Sequence, residues 1–96
     1  MSMRIGVLRV YFQIPDSHSL KEKRRVMRSL KDRLFANFNV SVAEIGSNDK
    51  LQAGEIGIAT VGNERRFVES VIQKVTNHID ETTEDIVVIE TDYEIF

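Results

Sequence analysis

Positive side chains are concentrated in one short stretch of the chain. Seven of the thirteen Lys and Arg residues lie between Lys21 and Arg33. On a helix, several of them fall within an arc of about 80°. These are Lys21, Arg24, Arg28 and Lys31, with Arg25 at the flank. Clustered cations of this kind bind the phosphates of a nucleic-acid backbone, so the stretch predicts an anion-binding surface.

The residues Ser19-Leu20-Lys21-Glu22 predict where this helix begins. They form a capping box, in which the Ser19 hydroxyl accepts from the Glu22 amide and the Glu22 carboxylate accepts from the Ser19 amide. Helix amides and the macrodipole add partial positive charge at this end. The candidate phosphate-binding residues are Ser19, Lys21, Lys23, Arg24, Arg25, Arg28 and Lys31. The alternative is a solvated helix face, or one that pairs with acids of a neighbouring subunit.

The charges of the two halves of the chain are opposite. Residues 1–48 contain nine Lys or Arg and four Asp or Glu, whereas residues 49–96 contain four and eleven. The net charge of −2 alone does not suggest a nucleic-acid partner. Any anion-binding surface is therefore expected in the first half.

Hydrophobic periodicity predicts the order of the structural elements. Residues 5–14 alternate as a strand, with Leu8, Val10, Phe12 and Ile14 on one face. A helix to about Ala36 follows, and its core stripe is expected to contain Leu20, Met27, Leu30, Leu34 and Phe38. Strands over 40–45 and 55–61 come next. A second helix capped by Asn63 carries a core stripe of Phe67, Val68, Val71, Ile72, Val75 and Ile79. The last strand, 86–95, directs Val87, Ile89, Thr91, Tyr93 and Ile95 to one face.

This β-α-β-β-α-β order predicts a ferredoxin-like α+β sandwich. Its four-stranded antiparallel sheet has the order 4-1-3-2, and both helices cover one face. The 96 residues are enough for a single domain, 1–96. One sheet face then stays open.

The open face offers a second candidate surface. It is expected to carry Ile5, Val7, Arg9, Tyr11, Gln13, Gly57, Ala59, Glu90, Asp92 and Glu94. Its apolar members favour a partner, most simply a second copy of the chain. The alternative is a solvated face on which Arg9 pairs with Glu90 or Asp92.

RNA binding on that face is disfavoured. RNA-recognition motifs share this element order but stack bases on exposed aromatics of their central strands. Here Tyr11 is the one aromatic expected on that face, and the acidic last strand repels phosphates. RNA, if bound, is expected on the side of the first helix.

The sequence does not contain residues of the types and spacing expected for a catalytic, metal-binding or cofactor-binding site. The chain has no cysteine, which excludes thiolate metal sites and cysteine nucleophiles. His18 and His78 stand 60 residues apart. The segment after the first strand lacks the glycine-rich, arginine-bearing loop of acylphosphatases, which share this fold. We therefore expect a protein without catalytic activity, metal or cofactor.

The segment Asp49, Lys50, Leu51 and Gln52 is a candidate interaction loop between the second and third strands. It is equally well explained as a simple connection.

The sequence contains no run of about 18 apolar residues that could span a membrane, and Met1-Ser2-Met3-Arg4 does not open a signal peptide. We therefore expect a cytoplasmic location.

Two segments resemble the YlxP-like family of small bacterial proteins of unknown function. They are Ser19-Leu20-Lys21-Glu22-Lys23-Arg24-Arg25 and Asn39-Val40-Ser41-Val42-Ala43-Glu44. The resemblance continues through Gln52, Glu55-Ile56-Gly57 and the second helix. It implies a ferredoxin-like domain and, because the family is encoded beside translation factors and ribosome-binding factor A, a role near translation. The family often has a tryptophan where this chain has Leu51, so no stacking role is carried over.

Three functions follow as expectations, in descending order. The first is a cytoplasmic, dimeric, non-enzymatic protein that contacts RNA or a ribonucleoprotein through the first helix. The second is a homo-oligomeric interaction module with no nucleic-acid partner, which would use the open sheet face. The third is a small-molecule regulator or enzyme, which would need a deep polar pocket at the loop after the first strand.

Overall fold

The strands and helices form one sheet and one helical layer in a computed structural model that describes residues 2–82 and 84–96. Their bounds are β1 Arg4–Gln13, α1 Leu20–Asn37, β2 Ser41–Gly46, β3 Ala53–Gly62, α2 Arg65–Thr82 and β4 Val87–Ile95. All strand pairs are antiparallel, in the order β2-β3-β1-β4. The predicted ferredoxin-like α+β fold and its strand order are confirmed.

The hydrophobic core lies between the sheet and both helices. Because side chains alternate along β1, every second one points towards the helices, and Leu8, Val10 and Phe12 are at most 1% exposed. They pack in one cluster with residues of β3 and of both helices. These are Ile56 and Ile58 on β3, Val26, Met27, Leu30 and Leu34 on α1, and Val68, Ile72, Val75 and Ile79 on α2. Since both helices join the same cluster, the opposite face of the sheet is left open.

Helix α2 approaches the sheet closely at Gly6. A Cβ atom at this position would lie 2.5 Å from Val68 Cγ1 and 2.8 Å from Ile72 Cδ1. Non-bonded carbons prefer about 3.5–4.0 Å. Any larger residue at Gly6 would therefore push α2 away from the strand.

Strand β4 contains a bulge that the alternation pattern does not predict. Tyr11 pairs with Glu90 while Phe12 pairs with Val88, so Ile89 has no opposite residue. Val88 packs against the core and Ile89 is 50% exposed. The prediction that Val87 and Ile89 share the core-facing side with Thr91, Tyr93 and Ile95 is therefore wrong. An extra residue interrupts the two-residue period on which that prediction depended.

The first turns of the helices also depart from the predicted stripes. Leu20 is 46% exposed and Phe67 is 55% exposed, although both were expected to face the core. The Val68 N–H donates to the Glu64 carbonyl at 3.2 Å, so α2 begins one residue later than a cap at Asn63 predicts. Among the described residues, neither helix combines the length and hydropathy needed to cross a membrane.

Candidate nucleic-acid interface

Helix α1 has one buried side and one strongly basic outer side. Its buried residues are Lys23, Val26, Met27, Leu30 and Leu34, which face the core. Four predicted phosphate-binding residues lie on the outer side, are exposed, and form no ion pair with any described residue. They are Lys21, Arg24, Arg25 and Arg28, and we call them the α1 basic face. The sequence prediction of a coherent cationic surface therefore applies to these four side chains.

Lys23 does not belong to that surface. It is 4% exposed, and its Nζ donates to the carbonyls of Ser47 at 2.6 Å and Lys50 at 2.5 Å. The expectation that Lys23 meets phosphates is wrong, because its ammonium group is already used to hold the β2–β3 loop. On the helical wheel Lys23 lies close to Leu30 and Leu34, so it is directed inward with the core residues.

The loop that Lys23 holds contains a backbone position that needs such support. Ser47 has a φ of 59°, in the left-handed region that non-glycine residues seldom adopt. Its hydroxyl donates to Glu55 Oε1 at 2.9 Å, and the Lys50 N–H donates to its carbonyl at 3.2 Å. Together with Lys23 these bonds fix the turn at the end of β2.

Lys31 stands at the edge of the α1 basic face and has an acid partner. Its Nζ lies 3.0 Å from Glu44 Oε2 on β2. The two side chains are 30% and 39% exposed. Lys31 is therefore partly neutralised and contributes less to an anion-binding surface than the sequence predicts.

Ser19 caps α1 as predicted, but the Glu22 carboxylate of the capping box accepts from a different amide. Its Oγ accepts from the Glu22 amide at 3.1 Å. The Glu22 carboxylate accepts from the His18 amide at 2.6 Å, rather than from the Ser19 amide. Ser19 is thus occupied as a cap, and a carboxylate lies at the helix start. Phosphates would meet the side chains of the outer face and not the helix tip.

A shallow depression runs along this outer face. Its lining is Ser19, Lys21, Glu22, Arg24, Arg25, Arg28, Ser29, Asp32 and Arg33. The lining therefore contains five positive side chains and two carboxylates. This excess of positive charge is the electrostatic footprint expected of a site for a polyanion.

Phe35 lies in the same arc and was not predicted as a site residue. It is 52% exposed, while its neighbour Leu34 is fully buried. At 100° per residue it lies about 20° from Arg24 and about 20° from Arg28 around the helix. The helical wheel alone could have identified it as an aromatic outside the core stripe.

The candidate interaction loop is attached to the segment before α1. The Ile14 N–H donates to the Gln52 carbonyl at 2.9 Å, and Gln52 Nε2 donates to the Pro15 carbonyl at 3.4 Å. The predicted loop residues Asp49, Lys50, Leu51 and Gln52 are all exposed. The loop is therefore a fixed projection, and its role in binding stays a prediction.

The open sheet face has a polar end and an apolar end. At the polar end Arg9 and Asp92 lie opposite each other and pair at 2.8 Å, as predicted for a solvated face. At the other end Ile5 stands between Val61 on β3 and Phe96, which follows β4. Val61 is 59% and Phe96 is 63% exposed. These three form an apolar row across the sheet.

The two histidines lie apart in the structure. His18 is exposed before α1, and His78 packs edge-on against Phe38 with ring centroids 5.4 Å apart. No group of three or more His, Asp or Glu side chains with the arrangement of a metal site occurs within residues 2–82 and 84–96.

The chain is similar to proteins whose functions are themselves unassigned. The sequence pattern described as "Protein of unknown function (DUF503)" matches residues 5–93. The "Uncharacterized protein YlxP" of Bacillus subtilis (strain 168) is 43% identical over 67 residues, which cover 70% of this chain and 73% of that protein.

Two solved structures are similar to the chain, and only the first has a TM-score high enough to show the fold. The de novo designed protein Foldit4 has a TM-score of 0.51 and 11% identity, with 96% of each chain covered. A Bacillus cereus crystal structure, whose description assigns it to the antibiotic biosynthesis monooxygenases, has a TM-score of 0.42 and 10% identity, with 100% of this chain and 92% of that one covered. Because the DUF503 pattern covers nearly the whole sequence, the chain belongs to that family, and the predicted YlxP-like resemblance is confirmed.

Proposed function

We propose that this protein is a non-enzymatic cytoplasmic protein that binds RNA, free or within a ribonucleoprotein such as the ribosome, through the α1 basic face. The observation that carries the proposal is the set of four exposed cations without an acid partner among the described residues. Arg9, Lys31 and Arg65 each have a carboxylate within 4.0 Å. Lys50, Arg66 and Lys74 are also exposed without such a contact among the described residues, but they are divided between a loop and α2. The outer side of α1 differs because it gathers four such cations on one side of a single helix.

The spacing of these cations is unfavourable for the isolated helix. Lys21 and Arg25 are four residues apart, as are Arg24 and Arg28. Like charges at this spacing destabilise a helix by about 0.2–0.5 kcal/mol per pair. A row of phosphates would remove that repulsion, because each phosphate places negative charge between two cations.

The shape of the surface supports binding rather than catalysis. Sites for small substrates are concave and enclose most of the ligand. The four cations instead line a shallow, open depression along a helix of 18 residues. An open basic stripe suits a backbone that lies along it.

RNA binding measured over a salt series tests the proposal. For a single strand, each phosphate contact contributes about 0.7 to the slope of log affinity against log salt. Arg24→Glu/Arg28→Glu is therefore expected to reduce that slope by about 1.4 or more and to weaken binding strongly at low salt. The matched control is Arg65→Glu/Arg66→Glu, which changes the net charge equally on exposed residues of α2.

The control separates local contact from overall charge. If both double variants weaken binding equally, the effect is only the change in net charge and the α1 basic face is not the site. If the wild-type protein shows no salt-dependent affinity for RNA, the proposed function is wrong.

A second proposal concerns the open sheet face, which we infer to bind a second copy of the chain. The observation that favours it is the exposed row of Val61, Ile5 and Phe96. Contiguous exposed apolar residues, unlike scattered ones, are typical of interaction surfaces. Since α1 lies on the other side of the sheet, two copies joined by their open faces would keep both α1 basic faces accessible.

Light scattering tests this second proposal. Val61→Glu places a charge in the apolar row and is expected to convert a dimer into a monomer, since burying an unpaired carboxylate is costly. Phe35→Glu is the control, because it changes a similarly exposed apolar residue on the helical side. A monomeric wild-type protein, measured after nuclease treatment to remove bridging RNA, would contradict the proposal.

A further inference from the structure

The aromatic ring of Phe35 is exposed on the same line of α1 as two arginines that form no ion pair within the described part of the chain. Phe35 follows Arg28 by seven residues and Arg24 by eleven, so the three lie close to one line along the helix. Helix rise places them about 6 Å apart from Arg24 to Arg28 and about 10 Å apart from Arg28 to Phe35. The line of Arg24 and Arg28 along α1 therefore ends at the exposed ring of Phe35.

The core does not account for this ring. Phe35 is 52% exposed, while the α1 positions that pack on the sheet, including Leu30 and Leu34, are fully buried. Phe38, the next aromatic, packs against the core and edge-on against His78. The exposed half of the Phe35 ring, set among exposed cations, matches a ligand that has both negative charge and an apolar surface.

We infer that α1 binds single-stranded RNA, with phosphates on Arg24 and Arg28 and an unpaired base stacked on Phe35; the inference rests on the proposed function. Proteins that bind single strands combine a positive surface with aromatic side chains on which bases stack. In a duplex the base faces are covered by their neighbours, and only phosphates and groove edges are accessible. Phe35 would then have nothing to stack on, so the ring favours the single strand.

Substitution of Phe35 gives the direct test. Phe35→Ala is expected to weaken binding of an oligoadenylate of about 12 nucleotides by about fivefold or more, the low end of base–aromatic stacking. The slope of log affinity against log salt is expected to stay the same, because the ring contacts no phosphate. Binding to an RNA duplex of equal length is expected to be unchanged. Phe67→Ala, which truncates a 55% exposed phenylalanine on α2, is the control.

A tryptophan at position 35 allows stacking to be measured by fluorescence. This signal would not change on RNA binding if the ring only supported the fold. The chain has no tryptophan, so Phe35→Trp introduces a single fluorophore. We expect this variant to keep its affinity for the single strand and to show quenched emission on binding, since the indole can stack as the phenyl ring does.

The outcomes distinguish the inference from the function on which it rests. If neither RNA form binds with salt dependence, the proposed function fails. If RNA binds through Arg24 and Arg28 but Phe35→Ala leaves single-strand affinity unchanged, the function stands and the inference is overturned. The inference is also overturned if Phe35→Ala weakens duplex and single strand equally, or if the tryptophan emission does not respond to bound RNA.

Discussion

The open sheet face and the outer side of α1 treat positive charge in opposite ways. On the sheet, Arg9 lies directly opposite Asp92 and pairs with it at 2.8 Å. On α1, the four cations of the basic face have no acid partner among the described residues. On the sheet face Arg9 is thus neutralised by a carboxylate of the same face, whereas the four cations of α1 are available to another molecule.

The difference shows that a basic residue's role depends on what surrounds it more than on its place in the sequence. Lys23 and Arg24 are adjacent, yet Lys23 is 4% exposed and holds two carbonyls while Arg24 is exposed. We therefore expect cations with protein partners to affect stability, and cations without them to affect RNA binding. The following variants test that division.

The largest effect on stability is expected at Lys23. Lys23→Met keeps the length of the side chain but removes the donor to Ser47 and Lys50. Leaving hydrogen-bonding groups unsatisfied costs about 1–3 kcal/mol in free energy of unfolding, and the loop also loses support for the φ of 59° at Ser47. Urea denaturation measures this change. Lys21→Met, on the exposed side of the same turn, is expected to change stability by less than about 0.5 kcal/mol. Equal effects of the two variants would contradict the assignment of Lys23 to the fold.

The cap of α1 is expected to contribute about half as much. Ser19→Ala removes the acceptor of the Glu22 amide and is expected to lower the free energy of unfolding by about 1 kcal/mol. Ser29→Ala is the matched control, because Ser29 is exposed within α1 and alanine has the higher helix propensity. Thermal denaturation followed by circular dichroism compares the two. If Ser29→Ala is as destabilising as Ser19→Ala, the bond to Glu22 is not what stabilises the helix start.

The pair on the sheet face is expected to matter less, since its side chains are 50% and 58% exposed. A double-mutant cycle with Arg9→Met and Asp92→Asn is expected to give a coupling energy of about 0.2–1 kcal/mol that falls as salt is added. A coupling energy that salt does not change would indicate that the pair is held by something other than charge.

Much of the fold could be predicted because it depends on patterns local in sequence. The alternation of Leu8, Val10 and Phe12 identifies β1, and Ser19 followed by Glu22 identifies the start of α1. The order of strands and helices then leaves few packings, so the ferredoxin-like arrangement followed from these local signals.

The rest depends on contacts between distant segments. Lys23 is buried because carbonyls 24 and 27 residues later come to lie beside it. The bulge at Ile89 exists because β4 pairs with β1 in a shifted register beyond Tyr11. Helical periodicity directs Lys23 inward but does not show which carbonyls it meets, and strand alternation does not show the bulge. The sequence analysis therefore placed Lys23 among the phosphate-binding residues and Ile89 with the core-facing residues.

The smallest effect on stability is expected where the effect on binding is largest. Arg24→Gln/Arg28→Gln removes two like charges at a spacing of four residues, while glutamine keeps a similar helix propensity. Because neither arginine has an acid partner in residues 2–82 and 84–96, the free energy of unfolding is expected to stay within about 0.5 kcal/mol of the wild type, or to rise slightly as repulsion is relieved. Denaturation and RNA titration on the same samples measure both quantities. A loss of more than about 1 kcal/mol would mean that the two arginines hold the fold together, because surface substitutions without structural partners stay below that range. A wild-type free energy of unfolding combined with weaker, less salt-dependent RNA binding would instead show that these two charges serve RNA binding and do not stabilise the fold.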